Sequence, residues 1–271
     1  PDLGWEWLRR NGDYQRDYAE TRHSACDLRE LTNRVRKRWG LHFVARPSLN
    51  ATEAPVFWCP EDDTGTVLLA AAPSILPADG NLFSAIRETA ARADEQGVHF
   101  LHDPGDGQLL HLLRLAGVAA GEPLAALIPL DLDGLDRLEA VQRLLKSMLG
   151  RAVPADTRLT KQQRRRIRHM LQAVDGRMNG ASYREIAGVI YGVSRVASDP
   201  WKSSALRDAT MDLVKDAFAM IAGGIARSFV IAADPDPMSE GGCEFGAPFS
   251  HSPLAALLRH RDLRPPLTTS G

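Results

Sequence analysis

The chain has 271 residues, is 44% hydrophobic and carries a formal net charge of −1. That length accommodates two domains, and the apolar content is sufficient for a buried core. No signal peptide opens the chain and no apolar run approaches the roughly 18 residues of a membrane span, so the sequence predicts a cytoplasmic protein. The three cysteines, Cys26, Cys59 and Cys243, form no CxxC pair, which argues against a disulfide framework and against a zinc site.

Charge is distributed unevenly along the chain. Residues 151–230 contain 14 basic and 7 acidic side chains, whereas residues 1–150 contain 16 basic and 22 acidic ones. A basic segment beside an acidic one is typical of proteins that contact nucleic acid. The alternative is a chance cluster of charges on a solvated face.

Residues 1–40 are predicted to be helical. Trp5, Trp7 and Leu8 stand in a short helical run, and Asn11-Gly12 indicates a turn after it. We expect these aromatic side chains to pack in a core rather than to stack on bases. The cluster of Arg34, Arg36, Lys37 and Arg38 is predicted to be a solvated helix face.

The next segment, residues 41–132, predicts a small α+β unit with antiparallel strands. Its expected elements are strands at 54–59, 65–72 and 123–131, a helix at 82–97, and a hairpin at 98–117 around the turn PGDG. A helix is expected at 134–149, with one apolar stripe made of Leu135, Leu138, Val141, Leu145 and Met148.

Three histidines of the hairpin, His99, His102 and His111, lie near Asp103 and Asp106. They imitate a metal or acid–base site, but His99 and His102 face opposite sides of a strand. We therefore expect ordinary strand and turn residues, with no catalytic, cofactor or metal site, and no stoichiometric site in a zinc titration. The sequence also lacks a P-loop, a nucleophile elbow and a GxGxxG turn after a strand.

A long basic helix is predicted to start at Thr160, which forms a capping-box pattern with Gln163. Its apolar stripe contains Ile167, Met170, Leu171, Val174 and Met178. Lys161, Arg164, Arg165 and Arg168 fall together on one flank of that stripe, and Arg166 falls on the other. Like charges at i, i+4 repel each other, and a bound polyanion would remove that cost.

Two further helices are predicted after Gly180. Ser182 and Glu185 form a second capping box for a short helix that ends at Gly192. A loop at 193–199 follows, and Asp199 and Pro200 suit the start of a third helix. The first two turns of that helix present Trp201, Lys202, Ser203, Ser204 and Arg207.

This order of helices is that of a variant helix-turn-helix module, whose later helix enters the major groove. We expect Lys161, Arg164, Arg165 and Arg168 to grip phosphates, and Ser182 and Arg184 to reach the DNA backbone. Lys202, Ser203, Ser204 and Arg207 are expected to face the groove beside Trp201, with Ser204 and Arg207 exposed to solvent in the free protein.

The segments at 158–224 and 3–20 resemble a known regulator family. "RLTKQQRRRIRHMLQAVDGRMNGASYREIAGVIYG" and "DPWKSSALRDATMDLVKDAFAMIAGG" are similar to the C-terminal domain of bacterial RovC-like and FseA-like regulators, and "GWEWLRRNGDYQRDYAE" is similar to the small domain often fused ahead of it. The resemblance implies activation of type VI secretion genes or control of integrative and conjugative elements. It also implies a homo-oligomer.

Together these observations predict an α+β protein with a helical N-terminal domain at 1–46, a small α+β unit at 47–150, a helix-turn-helix-like DNA-binding domain at 151–230 and a largely disordered tail at 231–271. The expected function is that of a sequence-specific regulator of transcription, more specifically an activator, that binds promoter DNA as a homo-oligomer. RNA polymerase and an antiactivator protein are candidate partners. The alternatives are an antiactivator that binds a partner regulator instead of DNA, and an enzyme that uses the hairpin histidines.

Overall fold

The computed structural model describes residues 2–23, 28–75, 86, 88–105, 107–119, 121–154 and 159–222. They fall into two compact units, an N-terminal unit up to residue 154 and a C-terminal unit at 159–222. The N-terminal unit mixes helices with a five-stranded sheet, and the C-terminal unit is helical. In the part of the chain that is described, no helix has the length and apolarity to cross a membrane. The tail predicted at 231–271 lies outside the described residues.

Three helices open the N-terminal unit: α1 at Leu3–Leu8, α2 at Gly12–His23 and α3 at Leu28–Trp39. The indole rings of Trp5 and Trp7 are buried, as expected for packing residues. The Tyr14 ring makes edge-on contacts with Trp5 and Trp39, at centroid distances of 5.7 and 5.8 Å. Large aromatic side chains bury much apolar surface with few rotatable bonds, so this cluster forms the core of the helical segment.

The strand expected at 54–59 does not form. In the described structure the run makes one isolated antiparallel bridge, between Trp58 and Leu41, held by backbone hydrogen bonds of Phe57 and Cys59 to His42 and Gly40. Pro55 and Pro60 bound the run, and proline cannot donate to a strand ladder. Phe57 and Trp58 are nevertheless buried, so the apolar run marks core packing rather than a strand.

The sheet contains β1 at Val67–Ala71, β2 at Glu88–Ala93, β3 at Gly97–His102, β4 at Leu110–Leu115 and β5 at Leu124–Leu127. Its strand order is β2-β3-β4-β1-β5. The predicted hairpin is present as the antiparallel pair β3–β4. The expected antiparallel strands are present in three of the four pairings, but β1 and β4 run parallel. Residues 72–109, which include β2 and β3, separate these two strands and leave room for that crossover.

The helix expected at 82–97 was also wrong where the structure describes it, because Glu88–Ala93 is strand β2. The alanine-rich sequence favours a helix locally. Pairing with β3, from Glu88 opposite His102 to Ala93 opposite Val98, overrides that preference. Residues 82–85 and 87 of the predicted helix lie outside the described residues.

Helix α4 at Gly134–Met148 covers one face of the sheet. Ala140, Val141 and Leu144 pack against a cluster that includes Val67, Leu69, Phe100, Leu110 and Leu112. The single apolar stripe predicted for this helix was wrong in part, because Leu135, Leu138 and Leu145 are exposed. Helix α4 therefore has two apolar faces, and the sheet covers one of them.

The C-terminal unit contains α5 at Lys161–Met178, α6 at Tyr183–Tyr191, α7 at Val193–Ala197, a 3₁₀ turn at Trp201–Ser203 and α8 at Ala205–Ala222. Both predicted capping boxes are present. The loop expected at 193–199 instead contains α7. The third helix of the prediction starts at Ala205 rather than Pro200, because the backbone makes a 3₁₀ turn first.

Candidate nucleic-acid interface

Helix α5 has one buried face and one basic flank. Ile167, Met170 and Val174 are at most 2% exposed, and they anchor the helix in the unit. At about 100° per residue, Lys161, Arg165 and Arg168 fall on one side of that buried face, and all three are exposed. We call Lys161, Arg164, Arg165 and Arg168 the basic ridge.

The members of the basic ridge differ in what they contact. The Arg164 side chain is partly buried, and its Nε donates to the carbonyl oxygen of Leu159 at 3.1 Å. Among the described residues, no acidic side chain lies within salt-bridge distance of Lys161, Arg165 or Arg168. Three cationic groups therefore remain available to an external anion.

Arg166, on the other flank of α5, has a different role. Its Nη2 donates to Oδ2 of Asp216 in α8 at 2.5 Å, and both side chains are largely shielded from solvent. This ion pair ties the first half of α5 to the second half of α8. The sequence run RRR thus contains one ion-paired arginine, Arg166, one partly buried arginine, Arg164, and one exposed arginine, Arg165.

Helix α6 packs against the end of α5 through a close approach. A Cβ added at Gly176 would lie 3.0 Å from Cγ1 of Ile186, so glycine lets the buried face of α6 approach the α5 backbone. Ile186 and Ala187 are the buried residues of α6. Such a short helix is marginal in isolation, and this packing stabilises it.

Ser182 caps α6 and is occupied by that role. Its hydroxyl accepts from the Glu185 amide at 3.3 Å and donates to Oε2 of Glu185 at 2.7 Å. Hydrogen bonds from the Ser182 amide and hydroxyl lower the pKa of Glu185, so a carboxylate stands at this helix start. Negative charge at this position opposes the phosphate contact expected for Ser182. Arg184, the next expected backbone contact, is exposed.

The turn between α6 and α7 is tight. Gly192 has φ +97°, a left-handed conformation that a side chain would strain. Helix α7 follows at once, and its Arg195 is exposed. The predicted interface does not include Arg195, because the sequence predicts a loop at 193–199 rather than a helix. The sequence signal for this helix is Gly192, because the turn of a helix-turn-helix motif is followed directly by the next helix.

The start of α8 corrects one residue of the predicted interface. Ser204 is 2% exposed, not solvent-facing: its Oγ accepts from the Leu206 amide at 3.0 Å and donates to Asp199. It caps α8, the role predicted for Asp199. Lys202 and Ser203 are exposed on the 3₁₀ turn, and Trp201 is partly exposed. Arg207 has a side chain that is 41% exposed and lies 3.4 Å from Asp208.

A second polar cluster lies in the N-terminal unit. His99 and His111 are buried on one face of the β3–β4 pair, with Nδ1 of His99 3.1 Å from Nε2 of His111. His102 faces the other side and contacts Ser147 Oγ at 3.0 Å, while Asp103 accepts from the Gly105 amide within the turn. These two residues have the ordinary roles expected of them. Asp106 lies outside the described residues.

His42 and Asp94 complete this cluster from two other segments. His42 Nε2 lies 2.5 Å from Oδ2 of Asp94, and His99 Nε2 lies 3.4 Å from Oδ1 of the same carboxylate. The three donor atoms lie within 4.8 Å of one another. Burial lowers the pKa of His99 to about 4 and that of His111 to about 3, so both rings are neutral at pH 7. These residues have the donor types that hold a transition metal.

Two family models match the chain. Residues 127–227 match the model described as "T6SS, Transcription factor, DNA binding domain", and residues 1–44 match a proteobacterial transcriptional regulator-like domain. The chain is a RovC-like regulator with an N-terminal regulator-like domain. These domains make it a DNA-binding transcriptional regulator. The first match also takes in α4, which packs on the sheet of the N-terminal unit. No curated protein matches the chain.

Proposed function

We propose that this regulator is a cytoplasmic, sequence-specific activator that binds double-stranded promoter DNA, with type VI secretion or mobile-element genes as its targets. One observation carries the proposal. A helical unit that matches a DNA-binding domain presents several cationic side chains without an acidic partner among the described residues: Lys161, Arg165, Arg168, Arg184, Arg195 and Lys202. Such charges supply the phosphate-dependent part of DNA affinity.

The contacts divide into positioning and reading groups. The basic ridge and Arg184 bind phosphates, which fixes the orientation of the protein without reading sequence. Lys202, Ser203 and Arg207 read base edges, with Trp201 beside them and Arg195 at the edge of the same segment. Ser182 and Ser204 act as helix caps, so neither belongs to the proposed contacts.

One contact relates these groups along the unit. Arg166 joins the first half of α5 to Asp216 in the second half of α8. The basic ridge therefore lies toward the second half of α8, and the reading group lies at its start. This separation supports phosphate contacts that flank the base-reading site.

The test is a selection from sheared genomic DNA with the purified full chain. Bound fragments are sequenced, and the affinity of the most enriched fragment is compared with that of a shuffled fragment at fixed salt. We expect a ratio of at least about 10³, as is usual for specific regulators. Equal affinity for both fragments would contradict sequence-specific binding, and no DNA binding at all would favour the antiactivator.

Activation is tested separately from binding. A reporter is placed behind the selected fragment, and the protein is expressed beside it from a controlled promoter. Higher reporter output with the protein supports an activator. Lower output from the same fragment indicates a repressor, and unchanged output with intact DNA binding contradicts direct regulation at that site.

We also propose that the chain acts as a homo-oligomer. Leu135, Leu138 and Leu145 lie within one stripe of α4 that points away from the sheet, Leu149 follows at the C-cap, and all four are exposed. A second copy that packs on this stripe would bury it, and paired modules on repeated half-sites would raise specificity. Light scattering should give a multiple of 29.7 kDa. Leu138→Lys with Leu145→Lys should give the monomer mass, and a monomeric wild-type protein would refute the proposal.

A further inference from the structure

The positions of hydrogen-bonding protons around His99 follow from its neighbours. Thr66 Oγ1 donates to Oδ2 of Asp63 at 2.8 Å and lies 2.9 Å from Nδ1 of His111. A hydroxyl has one proton to donate, so His111 Nδ1 donates to Thr66. With its proton on Nδ1, the His111 ring presents a lone pair at Nε2, which is therefore an acceptor.

That acceptor fixes the tautomer of His99. Because His111 Nε2 accepts, His99 Nδ1 donates to it across 3.1 Å. A His99 ring that donates through Nδ1 presents its lone pair at the other nitrogen, Nε2. This atom is buried and has no hydrogen-bond partner among the described residues, yet it faces the Asp94 carboxylate at 3.4 Å. Two acceptors that face each other repel unless a cation lies between them.

We propose that the N-terminal unit binds one divalent transition-metal ion through Nε2 of His42, Nε2 of His99 and the carboxylate of Asp94. The chain from Asp63 through Thr66 and His111 then acts as an outer shell. Ligating histidines commonly donate their other ring nitrogen to such a group, which fixes the ring and raises its basicity. Here the outer shell orients His99 before any metal arrives.

The distances fit a tetrahedral ion with little movement. Ligand atoms about 2.0–2.1 Å from such an ion lie roughly 3.3 Å apart, close to the 3.4 Å between His99 Nε2 and Asp94. The 2.5 Å contact between His42 and Asp94 is a hydrogen bond whose proton the metal would replace. The Asp94 carboxylate reaches solvent, so it has room to turn outward, and water can supply the fourth ligand.

The site would connect three parts of the N-terminal unit. His42 follows α3, Asp94 lies in the β2–β3 turn, and His99 lies on β3. Imidazole and carboxylate donors together suit zinc, iron or nickel rather than magnesium or calcium. The proposal replaces the sequence-based expectation of no metal site, which considered the hairpin histidines without His42 and Asp94.

The experiment is a titration of the untagged full chain, freed of metal by a chelator, with Co²⁺ and with Zn²⁺. Calorimetry counts the equivalents of Zn²⁺, and the visible absorption of Co²⁺ reports the coordination geometry. We expect one equivalent and a tetrahedral Co²⁺ spectrum. We also expect bound Zn²⁺ to raise the thermal midpoint of the N-terminal unit, because binding to the native state alone stabilises it.

Asp94→Asn is the decisive variant. Asn keeps the oxygen that accepts from the Gln96 amide at 2.9 Å, so the turn is preserved while the anionic ligand is lost. His111→Gln should weaken binding by about 10–100-fold, the usual cost of an outer-shell change, and Asp94→Asn should weaken it more. His102→Gln, on the opposite face of β3, is the matched control and should bind as wild type.

Three results would overturn the proposal. They are the absence of saturable binding, an affinity that Asp94→Asn leaves unchanged while circular dichroism shows a folded protein, and an equal loss in His102→Gln. His169→Gln in the C-terminal unit guards against binding at histidines elsewhere, and it should change neither the stoichiometry nor the spectrum.

Discussion

Two arginine-rich helices, α3 and α5, look alike in sequence and differ in their surroundings. In α3, Arg34 pairs with Glu20 at 2.5 Å, Arg36 with Glu61 at 2.8 Å, and Arg38 with Asp17 at 3.0 Å. In α5, Arg165 and Arg168 have no acidic side chain within reach in the described part of the chain. The same residue type is therefore neutralised internally in one helix and left unneutralised in the other.

The difference shows that an arginine run predicts a polyanion-binding face only when its neighbours do not supply the anion. Helix α3 lies in the segment with an excess of acidic residues, and α5 lies in the segment with an excess of basic ones. The described C-terminal unit has eleven basic and six acidic side chains, and the most buried of its ion pairs, Arg166–Asp216, is structural. Its remaining charge is available for DNA.

The largest effect should come from removing the exposed positive charges of α5. Lys161→Ala, Arg165→Ala and Arg168→Ala together should lower the slope of log affinity against log salt by about 0.9 per lost contact, or about 2.7. If variant and wild type bind DNA equally at 1 M salt, this difference in slope makes the variant bind about 100-fold more weakly at physiological salt. Fluorescence anisotropy on selected and random duplexes measures both quantities.

The matched control is the triple variant Arg34→Ala, Arg36→Ala and Arg38→Ala in α3. It removes the same charge from side chains that are already paired, so DNA affinity and salt slope should stay close to wild type. If the α3 variant lost as much affinity as the α5 variant, net charge rather than the basic ridge would explain the binding.

A smaller effect, about tenfold, should separate base reading from phosphate binding. Arg207 can pair bidentately with guanine, and such a pair contributes about 1–3 kcal/mol of discrimination. Arg207→Ala should relax the preference at one base position while affinity for random DNA falls only slightly. Binding-site selection on the variant measures this. An unchanged consensus at every position would leave Arg207 as a surface residue paired with Asp208.

Internal pairing also makes the N-terminal unit sensitive to acid. Burial by itself raises the pKa of Glu6, but hydrogen bonds from Arg10, the Ala51 amide and Arg9 outweigh it and hold that pKa below the ordinary 4.5. The resulting stability is therefore present above about pH 4.5 and is lost as pH falls through the folded-state value.

Glu6→Gln tests this dependence. At neutral pH it should lower the free energy of unfolding of the N-terminal unit by about 1–2 kcal/mol, since charge-assisted hydrogen bonds are lost. Thermal melts between pH 7 and pH 3 should show that the difference from wild type shrinks toward acid. A difference that grew toward acid would have the wrong sign for a lowered pKa.

Local signals predicted the C-terminal unit better than the N-terminal one. Thr160 with Gln163, and Ser182 with Glu185, fix helix starts within four residues, and both capping boxes are present. Strand β2 and the β1–β4 pairing depend on partners far along the chain, which no local pattern reveals. The metal candidate is the extreme case, because His42 and Asp94 are 52 residues apart.

Burial also decided details that helical periodicity left open. Ser204 was expected to face solvent, but a helix start needs a capping acceptor, and Ser204 fills that role. Leu135 and Leu145 matched the helical period of α4, yet the sheet covers the opposite face. Periodicity shows which residues share a face, but the structure shows which face is covered.

The smallest effects should have opposite signs in the two helices. Arg38 lies beside Asp17 and 4.6 Å from the centre of the Trp39 ring, so Arg38→Ala should destabilise the N-terminal unit by about 0.5–1 kcal/mol. Arg165 stands one turn from Lys161, and like charges at that spacing cost about 0.2–0.5 kcal/mol. Arg165→Ala should therefore stabilise the C-terminal unit slightly. Hydrogen exchange resolves the two units in the full chain, and a loss of protection in α5 of Arg165→Ala would show that Arg165 has a structural partner.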